Sequence, residues 1–107
     1  MAAEAGQCAN EQGKFWPYHD RLFADQTKLG DADLKASAAA LGLDAGRFNA
    51  CVDSHKYLPV VEADIKMGND AGVNGTPAFY INGRMISGAQ PFEAFKKIID
   101  EEIERRR

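Results

Sequence analysis

Apolar residues recur every three or four positions through most of this chain, and that spacing predicts amphipathic helices. Residues 2–12 are rich in Ala, Glu and Gln and are expected to form a helix or the end of one. Gly13 is predicted to separate this segment from a second helix, whose first turn tolerates Pro17. The second helix carries an aromatic stripe made of Phe15, Tyr18, His19, Leu22 and Phe23.

Two further helices are predicted from the residues at their N-termini. Asp31 is a suitable N-cap for an Ala-rich helix over residues 32–41, which ends before Gly42. Asp44 is a suitable N-cap for the next helix. The side chains expected on its inward face are Phe48, Cys51, Val52 and His55.

Residues 57–71 and 91–105 follow the same spacing and predict two longer helices, the second with Pro91 at its first helical position. In the first of them the expected buried face is Leu58, Val61, Ile65 and Gly68. In the second it is Phe92, Phe95, Ile98 or Ile99, and Ile103.

A β-hairpin is predicted between these two long helices. Pro77 cannot donate to a strand ladder, so it belongs at the entry of the strand formed by residues 78–81. The dipeptide Asn82-Gly83 is a strong two-residue hairpin signal, and Met85 and Ile86 supply the return strand. Residues 78–81 are almost wholly apolar, which is typical of a strand buried on both faces of a larger sheet.

Charge and length argue against two classes of function. A net charge of −3 and a pI near 5.3 do not favour nucleic-acid binding, which requires a basic surface. No run of 18 apolar residues predicts a membrane span, and the N-terminus lacks the pattern of a signal peptide. The terminal arginines 105–107 follow three glutamates and are expected to cap a helix C-terminus.

Three stretches together resemble DsbA-like thiol:disulfide oxidoreductases. The stretch CANEQGKFWPYHD, residues 8–20, is similar to the helix that follows the central thioredoxin strands in that family. Residues 40–51 resemble its helical insertion, and residues 72–92, which include Gly-Thr-Pro at 75–77, resemble its cis-proline loop, hairpin and closing helix. The resemblance covers nearly the whole chain, and the combination of the three stretches is specific.

The resemblance implies an α+β, mostly helical, partial thioredoxin-like fold with about five helices and a cis-Pro β-hairpin. Residues 1–107 would be a single domain fragment, with the helical insertion region at 13–71 and the cis-Pro loop, hairpin and last helix at 72–107. Thr76 and Pro77 would position the substrate strand, and the Thr76–Pro77 bond is expected to be cis. Substrates would be protein thiols and disulfides. Relatives are mostly periplasmic or extracytoplasmic.

The redox-active Cys-x-x-C of that family is not found in this chain. No catalytic residue, metal site or cofactor is therefore predicted, and the chain is expected to be inactive alone. Cys8 and Cys51 are 43 positions apart, which fits neither redox-motif nor metal spacing. Three interpretations stay open: a structural disulfide, which the extracytoplasmic location of the family favours; two buried thiols; and a catalytic pair.

For the other side chains that could take part in catalysis or binding, a structural role is expected. His19 is expected to be an interfacial histidine, because no second ligand stands at metal spacing on its helix. His55 is expected to benefit from a helix C-terminus. Trp16 is expected to pack in the core rather than to line a groove.

Three functions compete. The first is protein disulfide formation or isomerisation as part of a DsbA-like protein. The second is the glutathione-dependent isomerase or transferase branch of the same fold, and the third is a non-enzymatic helical interaction module. Because strand 78–81 is apolar and lacks flanking strands, a homodimer that joins two hairpins is also expected.

Overall fold

The computed structural model describes residues 1–106 and contains six α-helices and one two-stranded sheet. The mostly helical α+β class is confirmed, with one helix more than expected because the first segment forms a helix of its own. The elements in chain order are α1 (Ala2–Asn10), α2 (Phe15–Ala24), α3 (Asp31–Ala40), α4 (Ala45–Asp53), α5 (Leu58–Asp70), β1 (Ala78–Ile81), β2 (Arg84–Ser87) and α6 (Phe92–Arg105).

The residues group into two compact units, Met1–Ile65 and Lys66–Arg107, and the boundary falls within α5. The first unit contains α1 to α4, and the second contains the hairpin and α6. The prediction of a single domain over 1–107, divided at 71/72, stays a prediction. Arg107, which the sequence groups with two preceding arginines, lies outside the described residues.

The core of the first unit forms where the inward faces of its helices meet. Tyr18 is fully buried, its ring lies 5.5 Å from that of Phe48, and its hydroxyl donates to the carbonyl oxygen of Leu34 at 2.9 Å. Burial raises the pKa of the Tyr18 phenol to about 12. The remaining buried apolar side chains of this core are small or aliphatic: Ala5, Cys8, Ala9, Ala38, Leu43, Cys51 and Val52.

The breaks predicted at Gly13 and Gly42 and the Asp44 cap are confirmed, whereas the predicted Asp31 cap is wrong, because Asp31 is the first residue of α3 and Gly30 is its N-cap. Gly13, between α1 and α2, and Gly42, after α3, both have positive φ, near +70° and +78°. Glycine adopts this conformation without the steric cost that a Cβ brings. At the start of α4 the side chain of Asp44 accepts a hydrogen bond from the N–H of Arg47 at 3.0 Å, as an N-cap does.

Of the three interpretations of Cys8 and Cys51, the structural disulfide is the one that the structure contains. Cys8 on α1 is bonded to Cys51 on α4, and both lie in the core with 1% and 5% of their surface exposed. The bond therefore joins the first helix of the unit to the fourth. Among the described residues no cysteine is free.

In the second unit, β1 and β2 pair antiparallel around Asn82 and Gly83, with Phe79 opposite Ile86 and Ile81 opposite Arg84. Asn82 and Gly83 both have positive φ, which is the conformation of a type I′ turn. The α6 helix packs on one face of this hairpin, where the ring of Phe95 lies 4.9 Å from that of Phe79.

Several predicted buried faces are wrong. No residue of α5 is buried, and Ile65 is exposed. Trp16 and Phe92 are both largely exposed, at 66% and 73%. His55 is exposed and reaches Glu4 instead of the core. The strand residues Phe79 and Tyr80 and the helix residues Ile99 and Ile103 are also exposed. These side chains follow the expected periodicity, but no described part of the chain covers them fully.

We expect the disulfide to contribute about 3–4 kcal/mol to the free energy of unfolding of the first unit, because it closes a long loop in the unfolded chain. Replacing both cysteines, as Cys8→Ala with Cys51→Ala, should remove that contribution. Urea denaturation followed by far-ultraviolet circular dichroism measures it.

A reducing agent provides the control for this prediction. It should lower the urea midpoint of the original chain and leave that of the double variant unchanged. Equal midpoints for the original chain with and without the reducing agent would contradict the prediction.

Candidate functional site

The loop at residues 71–77 carries the chain from α5 into β1 and contains both predicted site residues. It begins with a glycine turn: Gly72 has φ near +82°, and the N–H of Val73 donates to the carbonyl of Gly68 at 2.9 Å. This pattern satisfies a carbonyl at the helix end and reverses the chain direction. The Thr76–Pro77 peptide bond is cis.

The far end of the loop is held by the hairpin. The carbonyl of Pro77 accepts a hydrogen bond from the N–H of Gly88 at 2.8 Å, directly beyond the end of β2. The side chain of Gln90 donates to the carbonyl of Ser87 at 2.9 Å and holds the segment after β2. Thr76 and Pro77 are both exposed. A partner can therefore reach the backbone and side chains of this dipeptide.

The chemistry available at Thr76 and Pro77 is limited to binding. A threonine hydroxyl and main-chain groups form hydrogen bonds, whereas proline has neither a titratable side chain nor a backbone N–H. The loop can position an extended segment of another chain but cannot attack it.

The two cysteines do not provide a reactive thiol. Disulfide exchange begins with a thiolate that is exposed or partly exposed. Cys8 and Cys51 are bonded to each other and almost fully buried in the first unit. Their arrangement is that of a structural crosslink.

An ionic cluster that the sequence analysis did not identify lies where β2 meets α6. Arg84 donates to Glu101 at 2.8 Å and to Glu102 at 3.4 Å, and Arg105 donates to Glu102 at 3.1 Å. Burial works to raise the pKa of Glu102, but Arg105 and Arg84 outweigh it and lower that pKa. Hydrogen bonding to Glu101 raises the pKa of Arg84. The cluster fastens the hairpin to the helix.

A second polar cluster joins the end of α1 to the segment after α4. The carboxylate of Glu11 accepts hydrogen bonds from the ammonium group of Lys56 and, at 2.7 Å, from the hydroxyl of Tyr57. The Lys56 bond is the main cause that lowers the pKa of Glu11, and the bond to Glu11 raises the pKa values of Lys56 and Tyr57. At the other end of α1 the buried carboxylate of Glu4 lies 2.9 Å from Nδ1 of His55.

These polar partners were missed because they lie far apart in the sequence. Glu11 and Tyr57 are 46 positions apart, and Glu4 and His55 are 51 positions apart. No local pattern pairs such residues. For Arg84 the sequence gave a weak signal of its position. Arg84 lies opposite Ile81 in the hairpin, and the side chains of two residues paired in this way lie on the same face.

An apolar groove of about 250 Å³ lies between α1 and α2. His19 lies at this groove and is held 3.1 Å from the carboxylate of Asp20. Its apolar lining includes Ala3, Gly6, Phe15, Leu22 and Phe23. Among residues 1–106 no group of three or more histidine, cysteine, aspartate or glutamate side chains could hold a metal ion. No helix among them is long and apolar enough to cross a membrane.

Comparison with known proteins identifies the family. The model of the family described as thioredoxin matches residues 1–101. This chain belongs to the thioredoxin family. The match runs from the first residue through most of α6, and the six helices with one antiparallel hairpin form a partial thioredoxin-like fold.

Relatives among curated proteins carry a different name. The chain is 38% identical over 99 residues to the Na⁺/H⁺ antiporter NhaA 3 of Salinispora tropica. The aligned region covers 92% of this chain and 15% of that protein. It is 39% identical over 89 residues to the Na⁺/H⁺ antiporter NhaA of Herminiimonas arsenicoxydans, covering 83% of this chain and 14% of that protein. The chain thus spans about 15% of the length of the curated relatives it matches.

The Glu11 cluster should make the first unit sensitive to acid. A carboxyl group whose pKa is lower in the folded state stabilises that state above its unfolded pKa, near 4.5 for Glu11, and loses this contribution as the pH falls further. We expect Glu11→Gln to lower the melting temperature at pH 7 and to have a smaller effect at pH 3. Thermal unfolding followed by circular dichroism at both pH values measures this.

The matched control is Glu62→Gln, at an exposed carboxylate on α5. It removes one charge and should change the melting temperature little at either pH. An effect of Glu11→Gln that is equally large at pH 3 and pH 7 would argue against the proposed role of the charge.

Proposed function

We propose that this chain is the substrate-positioning part of a DsbA-like thiol:disulfide oxidoreductase, a protein that forms or isomerises disulfides in other proteins. The observation that carries the proposal is the exposed Thr76–Pro77 dipeptide, held at the entry of β1 in a chain that belongs to the thioredoxin family. The three stretches of resemblance support the DsbA-like branch, because the helical insertion and the loop occur together.

In this proposal the substrate lies as an extended segment along the loop. Its main-chain groups form hydrogen bonds with main-chain groups around Thr76, while the Pro77 ring packs beside the reacting sulfur atoms. The Gly72 turn on one side and the Pro77–Gly88 hydrogen bond on the other hold the loop in position before substrate arrives. A preorganised loop loses less conformational entropy when it binds.

The attacking thiolate would come from outside these 107 residues. Cys8 and Cys51 are crosslinked and buried, so they would serve stability rather than exchange. A cysteine with a lowered pKa at a helix N-terminus is the chemically suitable nucleophile. The segment that carries it would have to lie beside Thr76 and Pro77.

The reading frame around this chain distinguishes the three functions. A strand followed by Cys-x-x-C upstream of Met1 supports the oxidoreductase. A serine-containing loop at that place supports the glutathione-dependent branch, and the absence of both supports an interaction module. The last two outcomes would each overturn the proposal.

The names of the relatives support a second proposal, which concerns the protein in which this chain occurs. We propose that the chain is the thioredoxin-like segment of a longer protein that also contains an Na⁺/H⁺ antiporter. The support is identity of 36–39% to three proteins of that name, each of which the chain covers only to 14–15%. An antiporter sequence in the same reading frame would support it, and a reading frame without one would refute it.

Alone, the chain should not catalyse the reduction of insulin by dithiothreitol above the uncatalysed rate, because it offers no reactive thiol. The turbidity of the reduced insulin chains measures the rate. Turnover that disappears in Cys8→Ala or Cys51→Ala would show that the buried pair is catalytic.

In the protein expressed from the whole reading frame, Thr76→Trp should raise KM for a disulfide-containing peptide and leave kcat nearly unchanged. The reason is that a bulky side chain obstructs binding but does not touch the thiol. The control Lys97→Trp places the same bulk at an exposed position on α6. Equal effects of both variants would count against a substrate site at the loop.

A further inference from the structure

The turn between α4 and α5, residues 54–57, contains a histidine in an uncommon backbone conformation. His55 has φ near +53°, in the left-handed region that few residues other than glycine occupy. Its N–H donates to the carbonyl of Val52 at 3.1 Å, and the N–H of Lys56 donates to the carbonyl of Cys51 at 3.3 Å. This pair of bonds closes a helix C-terminus, and glycine is the usual residue at the left-handed position. Histidine at this position therefore brings backbone strain that glycine would avoid.

The imidazole of His55 contacts a buried carboxylate. Its Nδ1 lies 2.9 Å from Oε1 of Glu4, whose side chain is only 7% exposed. The second carboxylate oxygen of Glu4 lies 3.7 Å from the amino group of Met1. Within residues 1–106 the structure gives the Glu4 carboxylate these two partners. A buried carboxylate depends strongly on its partners, because burial removes the water that would otherwise solvate its charge.

The next residues of the same turn contact the other end of α1. Lys56 and Tyr57 both donate hydrogen bonds to the carboxylate of Glu11, the C-cap of α1. Glu4 and Glu11 are separated by about two helical turns, and that spacing places them on one face of the helix. Residues 54–57, which we call the α4 strap, are therefore held on α1 at two points.

The two points of attachment respond differently to pH. Glu11 and Lys56 both stay charged at neutral pH, because their contact lowers the pKa of Glu11 and raises that of Lys56. Histidine is the side chain that ordinarily changes its charge between pH 5 and pH 8. An imidazolium donates a charge-assisted hydrogen bond to a carboxylate, and a positive charge at the C-terminus of α4 is favoured by the helix dipole. Neutral His55 loses both contributions.

We propose that the α4 strap is a pH-sensitive closure, which protonation of His55 fastens to α1 at Glu4 and deprotonation loosens at that point. Lys56 and Tyr57 stay bound to Glu11 in both states. Because the left-handed conformation of His55 is strained, loss of the Glu4 contact allows the turn to relax. The inference goes beyond the proposed function and does not depend on it.

The other charged groups around this pair have partners of their own, with one exception. On the helices packed against α1, charged side chains pair with one another: Asp53 with Lys35 at 2.7 Å, and His19 with Asp20 at 3.1 Å. The exception is the amino group of Met1, which is titratable and also faces Glu4. It is the same in every variant of His55, so a comparison of these variants at one pH cancels its titration.

Thermal unfolding at pH 5.5 and pH 7.5 tests the proposal with His55→Asn, because asparagine tolerates the left-handed conformation and does not titrate. A protonated histidine that gains a partner on folding stabilises the fold at the lower pH, and this stabilisation is lost as the histidine deprotonates. At pH 5.5 we expect the original chain to melt about 3–6 °C above the variant, and at pH 7.5 less than half of that difference should remain. A difference of equal size at both pH values would overturn the inference.

Two control variants separate this pair from histidine titration in general. In a chain that already carries Glu4→Gln, the effect of His55→Asn should lose most of its pH dependence, because no carboxylate remains to pair. His19→Asn removes a histidine whose partner, Asp20, is 78% exposed, and exposed pairs contribute little. Its pH dependence should therefore be smaller. An undiminished pH dependence in the Glu4→Gln chain would show that Glu4 does not hold the strap.

Hydrogen exchange of the unmodified chain tests the strap without relying on a folded variant. The protection factor of the Lys56 amide, which corrects for the intrinsic effect of pH, should fall about threefold or more between pH 5.5 and pH 7.5. The matched control is the amide of Leu43, which donates to the carbonyl of Ala38 at 3.1 Å in the same kind of turn after α3, with Gly42 at the left-handed position. Its protection factor should stay constant. Equal behaviour of the two amides would mean that no strap opens with pH.

Discussion

The first unit depends on the contacts that hold α1 against α4. The Cys8–Cys51 bond is the central one of these contacts and lies among Ala5, Phe48 and Val52. Glu4 with His55 lies towards one end of α1, and Glu11 with Lys56 and Tyr57 lies at the other. One covalent bond and two polar contacts thus hold a nine-residue helix that would be marginal alone. The faces that bury Tyr18 and Leu34 are assembled around it.

In the second unit, the contacts hold one short main-chain segment in a fixed position. The Gly72 turn and the Pro77–Gly88 hydrogen bond fix the loop at both ends, and the ionic cluster at Arg84 fastens the hairpin to α6. These contacts order the Thr76–Pro77 dipeptide while leaving it exposed. The first unit thus contains a buried crosslink, and the second presents an exposed dipeptide.

Several large apolar side chains of the second unit remain exposed. Seven large apolar residues of the second unit are at least 39% exposed: Met67, Phe79, Tyr80, Met85, Phe92, Ile99 and Ile103. Isolated exposed apolar residues need no explanation, but a contiguous apolar patch marks an interaction surface.

The sequence by itself determined the helices, their glycine breaks, the Asp44 cap and the hairpin, because each depends on residues within a few positions of one another. It also indicated the family, through stretches that match along the chain. Only the tertiary structure decided that Cys8 meets Cys51, that His55 pairs with Glu4, and that Trp16 and Phe92 remain exposed. Periodicity shows which face of a helix is apolar, but whether that face is buried depends on what packs against it.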